Sequence, residues 1–140
     1  MWSSPASRRL GAGAGIAAVA VMLSACIGPG VPARHALQDW LGDMKAHSVA
    51  YAYTLLSTKA EQRTDYDQFF NGVNQSQASY RIVSTKTVSA SEVLAVVAVT
   101  RPGARPTRVT VQMVEEGNAG DWLVGEPFTS EGARAIRHFR

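Results

Sequence analysis

The chain reads as an α+β domain, with helices first and an antiparallel sheet after them. Three observations predict this. Apolar residues recur at i, i+3, i+4 and i+7 between Leu37 and Val73, the period of an amphipathic helix. From residue 78 to residue 128 the period falls to two, as in strands that bury one face. Turn-forming clusters at 101–106 and 115–120 separate the strand-like runs at short intervals, which suits a meander of about four strands with the helices packed on it.

Each element has its own signal. Leu37, Trp40, Leu41 and Met44 form the stripe of a first helix, and Val49, Ala52, Tyr53 and Leu56 that of a second. Ser48 is placed to cap the second helix, which leaves Ala46 and His47 at the junction. Tyr66, Phe69, Phe70 and Val73 form a third stripe. Thr64 and Asp67 make a capping-box-like start for it, and Gly72 and Asn74 suit its end. Residues 78–86 read as a first strand with Tyr80 and Ile82 on one face. Residues 93–100 are apolar on both faces, Val93, Ala95, Val97 and Val99 against Leu94, Val96 and Ala98. Such a strand is expected at the centre of a sheet and covered on each side. Residues 107–114 alternate again, with Val109, Val111 and Met113 together, and pair with 93–100 as a hairpin. Residues 121–128 are the last strand, with Trp122 and Val124 inward. Residues 130–140 show no strand pattern. Arg134, Arg137, His138 and Arg140 make them a basic tail, either loose or a short helix.

The length of 140 residues suggests a single domain. Ahead of it lies the order of features found in a secretion signal: Arg8-Arg9, an uncharged apolar run over 10–23, then the small residues Ser24-Ala25 before Cys26. The run is short for a membrane span, which needs roughly 20 residues. The formal net charge is +3, and without Arg8 and Arg9 it falls to +1. Nucleic-acid binding is therefore not expected. Cys26 is the sole cysteine, so no internal disulfide can form.

Leu23-Ser24-Ala25-Cys26 resembles the lipobox of bacterial lipoproteins. That resemblance implies a diacylglyceryl group on the Cys26 thiol, cleavage between Ala25 and Cys26, and attachment to the cell membrane on its extracytoplasmic side. An ordinary signal peptide cut nearby and an uncleaved anchor are the alternatives. Arg8-Arg9 also resembles, faintly, a twin-arginine export signal. The organisation that follows is a signal peptide over 1–25, a lipidated cysteine and breaker-rich tether over 26–32, a domain over 33–129 and a basic tail over 130–140.

Over 33–129 the order of elements resembles the nuclear-transport-factor-2-like superfamily, specifically its small bacterial lipoprotein members. The residues that carry this are Ala52-Tyr53-Thr54-Leu55-Leu56-Ser57 in the second helix, Phe69-Phe70 in the third, and Trp122-Leu123-Val124 in the last strand. The resemblance implies a cone, a bent sheet wrapped on helices with an opening between them. Cones of this kind serve enzymes, ligand binders and interaction modules alike, so fold does not fix function.

The sequence offers little chemistry. His35, His47 and His138 are far apart, and His35, Asp39 and Asp43 share a helix face that suits solvent better than a metal, so no metal site is expected. Gly11, Gly13 and Gly15 follow no strand and do not make a dinucleotide loop. Enzymes of the cone class place an acid/base residue and a tyrosine in the opening. Tyr51, Tyr53, Asp65 and Tyr66 are of the right type, but the central strands supply no carboxylate, and Glu92 and Glu126 stand at strand ends. No catalytic residue and no cofactor is assigned. Arg101, Arg105 and Arg108 cluster around the hairpin turn and are the candidates for contact with an anionic partner. The expectation is a non-catalytic, membrane-anchored binding or assembly domain with an envelope protein as partner. A small-molecule enzyme of isomerase or dehydratase type, a ligand binder and a structural accessory subunit are the alternatives. An exposed apolar patch on the sheet would favour a protein partner.

Overall fold

A computed structural model describes residues 28–140; the signal segment, the lipobox and Cys26 lie outside the described residues. The first helix, α1, runs over Gly30–Lys45, so helix begins inside the segment read as tether. Pro32 sits in its first turn, where a backbone N–H has no partner to lose. The α1 stripe is as expected, with Ala33, Leu37, Trp40, Leu41 and Met44 buried. Its end is a Schellman motif: Ser48 N–H reaches Asp43 O at 2.9 Å and His47 N–H reaches Met44 O at 3.3 Å. His47 takes the left-handed position, φ 57°, that glycine usually fills. Its ring Nε2 donates to the Ser76 carbonyl at 2.8 Å, which ties the strained corner to the far end of the helical layer.

Helix α2 is Val49–Thr54, α3 is Thr58–Arg63 and α4 is Tyr66–Asn74. Ser48 holds the cap position of α2 without a side-chain cap bond. The start of α4 is capped one residue later than expected, by Asp65 accepting from Gln68 N–H at 2.9 Å. Helix α3 has no counterpart in the apolar periodicity, since Ala60 alone is buried on it. Its signal is local: the Ser57 hydroxyl accepts from Ala60 N–H at 3.2 Å.

The sheet is an antiparallel meander in the order β1-β2-β3-β4, with β1 Ser79–Ser89, β2 Glu92–Thr100, β3 Thr107–Glu116 and β4 Asp121–Val124. Pairing of Val97 with Ile82 and Val109, and of Ala95 with Thr85 and Val111, puts the expected residues on one face. Register shifts between Ile82 and Ser84 and between Thr87 and Ser89 interrupt β1. The two edges differ. Along β4, Val124 N–H donates to Leu55 O at 2.8 Å and Ser57 N–H donates to Val124 O at 2.7 Å, so the α2–α3 link covers that edge. Strand β1 has no such partner among the described strands.

Residues 130–140 are not a loose tail. Helix α5, Phe128–Glu131, and α6, Ala133–Phe139, carry Phe128, Ala135, Ile136 and Phe139 into the core. The apolar residues of α6 fall at i, i+1 and i+4, one helical face, and the charged residues between them lie on the other. Two glycines make this closure possible. A Cβ on Gly72 of α4 would lie 2.1 Å from Ile136 Cγ2, and one on Gly132 would lie 2.8 Å from Arg63 O. Gly132 also has φ 52°, the left-handed region that other residues avoid. The domain therefore extends to residue 139. Helix α1 touches all four strands, and its stripe meets Val93, Ala95, Val97, Val99, Val111 and Met113 in one core.

Candidate interaction surfaces

The space between helices and sheet is filled by aromatic side chains. The Trp40 ring meets Phe128 and Phe139 edge-on at centroid distances of 5.8 and 5.1 Å. Phe128 stacks on Phe139 at 5.9 Å, and Phe69 closes on Phe128 at 6.1 Å. Trp40, Phe69, Phe128 and Phe139 are fully buried. Two of these four rings come from the C-terminal segment. The Trp40 indole N–H and the Thr64 hydroxyl are buried without a hydrogen-bond partner.

Of the residues considered for acid–base work, Tyr53 and Tyr66 meet edge-on at a centroid distance of 4.9 Å, but this contact is ring packing and joins no carboxylate to a tyrosine hydroxyl. Tyr51 is 72% exposed. The Tyr53 hydroxyl is engaged by the carbonyls of Glu61 at 3.2 Å and Thr64 at 3.3 Å. Burial, followed by the nearby Glu61, Asp65 and Tyr66, pushes its pKa up. Asp65 is the α4 cap. Glu92 accepts from Gln112 Nε2 at 3.1 Å. Burial would raise the Glu126 carboxyl, but hydrogen bonds from Ser130 and Thr129, with Arg63 adding charge, hold it below the ordinary value. Asp43 is raised, by burial first and by Asp39 second. Among the described residues no three His, Cys, Asp or Glu side chains are grouped to hold a metal. No described helix is long and apolar enough to cross a membrane.

The arginines near the hairpin turn divide. Arg101 is half-buried and is occupied within the domain. Its guanidinium donates to the carbonyls of Arg137 at 2.7 Å and His138 at 3.1 Å, and also to that of Arg140. It works with the Tyr80 hydroxyl and Ser76 Oγ, both of which donate to Phe139 O, to satisfy the last carbonyls of α6. Burial raises the Tyr80 pKa, a shift that Ser76 and Arg101 oppose. Arg105 and Arg108 are exposed, and Arg108 stands beside Ala98 on the outer face of the sheet.

That outer face is the surface the fold leaves open. Strand β2 was expected to be covered on both sides. The helices cover one, and the register puts Leu94, Val96 and Ala98 on the other. Leu94 and Val96, with Val114 of β3 and Leu123 of β4, are half-buried. Cross-strand pairing sorts the charges on this face. Arg81, Ala98 and Arg108 form one end row, Lys86 stands beside Leu94, and Glu92 pairs with Val114 and Glu116 with Asp121 towards the other end. Aromatics read as packing residues are also exposed: Tyr66 at 41% and Phe70 at 42%, one turn apart on α4.

No protein-family model matches the chain, and no curated protein matches it. A crystal structure of a SEC-C motif-containing protein from Psychrobacter arcticus is similar to it, with a TM-score of 0.58 and 12% sequence identity. The similarity covers 68% of this chain and 59% of that one, so the present chain spans less than two thirds of its neighbour. At this identity the likeness concerns fold: helices with a four-stranded antiparallel sheet.

Proposed function

We propose that this chain is the precursor of a bacterial lipoprotein, anchored to the cell membrane through Cys26. Its domain, a filled cone of the nuclear-transport-factor-2-like kind, works by presenting a surface and not by catalysis. The observation that carries the reading is the open face of the sheet, where Leu94, Val96, Val114 and Leu123 stay half-buried, with Arg108 at one end, Glu116 and Asp121 at the other and Lys86 beside Leu94. Side chains of this kind lose little by exposure singly, but together on one face they suit an interface. The partner that fits is a protein with an apolar centre, acidic opposite Arg108 and basic opposite Glu116 and Asp121. Trp40, Phe128 and Phe139 leave the inside of the cone to packing, which supports a surface role over a substrate site.

The test is site-specific photocrosslinking in the full-length chain expressed in a bacterium. A crosslinker at position 96 is expected to give one discrete adduct, reduced by Arg108→Glu. The same group at Asp67, exposed on α4, is expected to give none. Equal labelling at both positions, or none at 96, would sink the surface assignment. Intact mass of the same protein reads the anchor: a mature chain starting at Cys26 without lipid would remove that part alone.

A further inference from the structure

We propose that the groove between α1 and the free edge of β1 binds the phosphodiester headgroups of anionic phospholipid. Arg34 and Lys45 of α1 and Arg81 of β1 line one groove of ≈ 340 Å³. Arg34 and Gln38 continue into an adjoining space of ≈ 530 Å³, where His35, Thr85 and Thr87 add donors. No carboxylate lines either space. Among the described residues the only ion pair is His138 with Glu131, at 3.0 Å, so these three cations have no ionic partner there. Helix α1 does carry acids, but Asp39 and Asp43 line the groove on its other flank, beside Tyr51 of α2. One helix thus separates a cationic flank from an acidic one, and only the first faces β1.

Spacing favours a headgroup array over a small solute. Arg34 and Lys45 are eleven residues apart, about 16 Å along a helix at ~1.5 Å per residue. Cations strung out at that interval suit a charged plane better than they suit one phosphate ion. Val31, 51% exposed, and the lining residues Leu41 and Ile82 give apolar surface next to the charge, as the glycerol end of a lipid would need. Covalent reach adds the last element. Cys26 lies four residues before Gly30, so it is no more than ~14 Å from the start of α1 at ~3.6 Å per residue. A lipid there would hold the bilayer surface within reach of Arg34. The choice of lipid over free phosphate rests on the anchor reading above.

The full-length chain in neutral maltoside micelles is titrated with short-chain phosphatidylglycerol, short-chain phosphatidylcholine or inorganic phosphate, and read by NMR. Phosphatidylglycerol is expected to shift signals from residues 34, 45, 81 and 85, while phosphatidylcholine leaves them in place. Each cation near an anionic surface contributes about fivefold to binding, so Arg34→Gln/Lys45→Gln/Arg81→Gln should weaken it on the order of 100-fold. The variant's remaining spectrum should match the parent, since all three residues are exposed. Equal response to phosphatidylcholine, shifts centred elsewhere, or phosphate binding as strong as phosphatidylglycerol would overturn the proposal. Selective binding by a chain that intact mass shows to be unlipidated would support the groove and sink only the anchor.

Discussion

The two faces of β2 are made of the same kinds of residue and have different fates. Val93, Ala95, Val97 and Val99 are at most 1% exposed, packed beneath α1. Leu94 and Val96, one residue away along the same strand, are half-buried. Composition therefore does not say which side of an apolar strand a domain covers. The number of helices does, and here α1 and the C-terminal pair α5–α6 supply enough surface for one face. The uncovered apolar face is then a property of the protein's exterior.

Three substitutions probe this contrast, the strongest on the covered side. Trp40→Ala removes a ring with no exposure from the junction of α1, α5 and α6, and should cost ~3–5 kcal/mol in urea unfolding. Trp40→Phe should cost distinctly less, because the indole N–H makes no hydrogen bond. A loss under ~1 kcal/mol for the alanine variant would mean that α5 and α6 do not close the core. On the open face, Val96→Asp should lower stability by only about 1 kcal/mol while abolishing the adduct formed when the crosslinker is moved to Leu94, on the same face. Global unfolding by this variant would show that the face is covered after all.

The smallest effect belongs to the polar end of the open face, where Gln112 N–H donates to Glu126 O at 2.9 Å. The Glu126 carboxyl titrates below its ordinary 4.5. Its stabilising contribution is therefore present above that value and is lost as pH falls through the lower folded one. Asp43 has the opposite sign: its raised pKa disfavours the charged form in the fold, a penalty relieved as pH falls towards 3.8. Glu126→Gln should flatten the loss of stability below pH 4.5, and Asp43→Asn should deepen it slightly. Melting curves between pH 3 and 6 that coincide for all three proteins would contradict the assigned hydrogen bonds.

The sheet was legible because its signals are local. Val93 to Val99 form an uninterrupted apolar run, Val109, Val111 and Met113 alternate in the next, and the turn at 101–106 joins them as a hairpin. The α1 stripe was legible for the same reason. Helix α3 was not, because Lys59, Glu61 and Arg63 leave it one buried residue and its only mark is the Ser57 cap. In α6 the basic residues obscured Ala135, Ile136 and Phe139. The α4 stripe marks the buried Phe69 and Val73 no more strongly than the exposed Tyr66 and Phe70, because a stripe shows periodicity but not what lies opposite it. The cationic groove had no sequence signature at all. Arg34, Lys45 and Arg81 are brought together by the packing of α1 on β1, whereas Arg101, Arg105 and Arg108, close in sequence, are separated when Arg101 turns to the end of α6.

The contact between Gly72 and Ile136 also constrains how this sequence can change over time. A methyl at 72 meets Ile136 at 2.1 Å, so the two positions form an epistatic pair. A lineage that acquires a side chain at 72 must first pass through a smaller residue at 136. That intermediate carries the cavity of an isoleucine truncation, ~2–5 kcal/mol, a large share of what a small domain has to lose. Substitution in the reverse order sets the new side chain against Ile136 Cγ2, so the Ile136 side chain or α6 has to shift. Drift at these two sites should therefore be rare, ordered and correlated, although neither residue touches the exposed surfaces on which function is proposed to act.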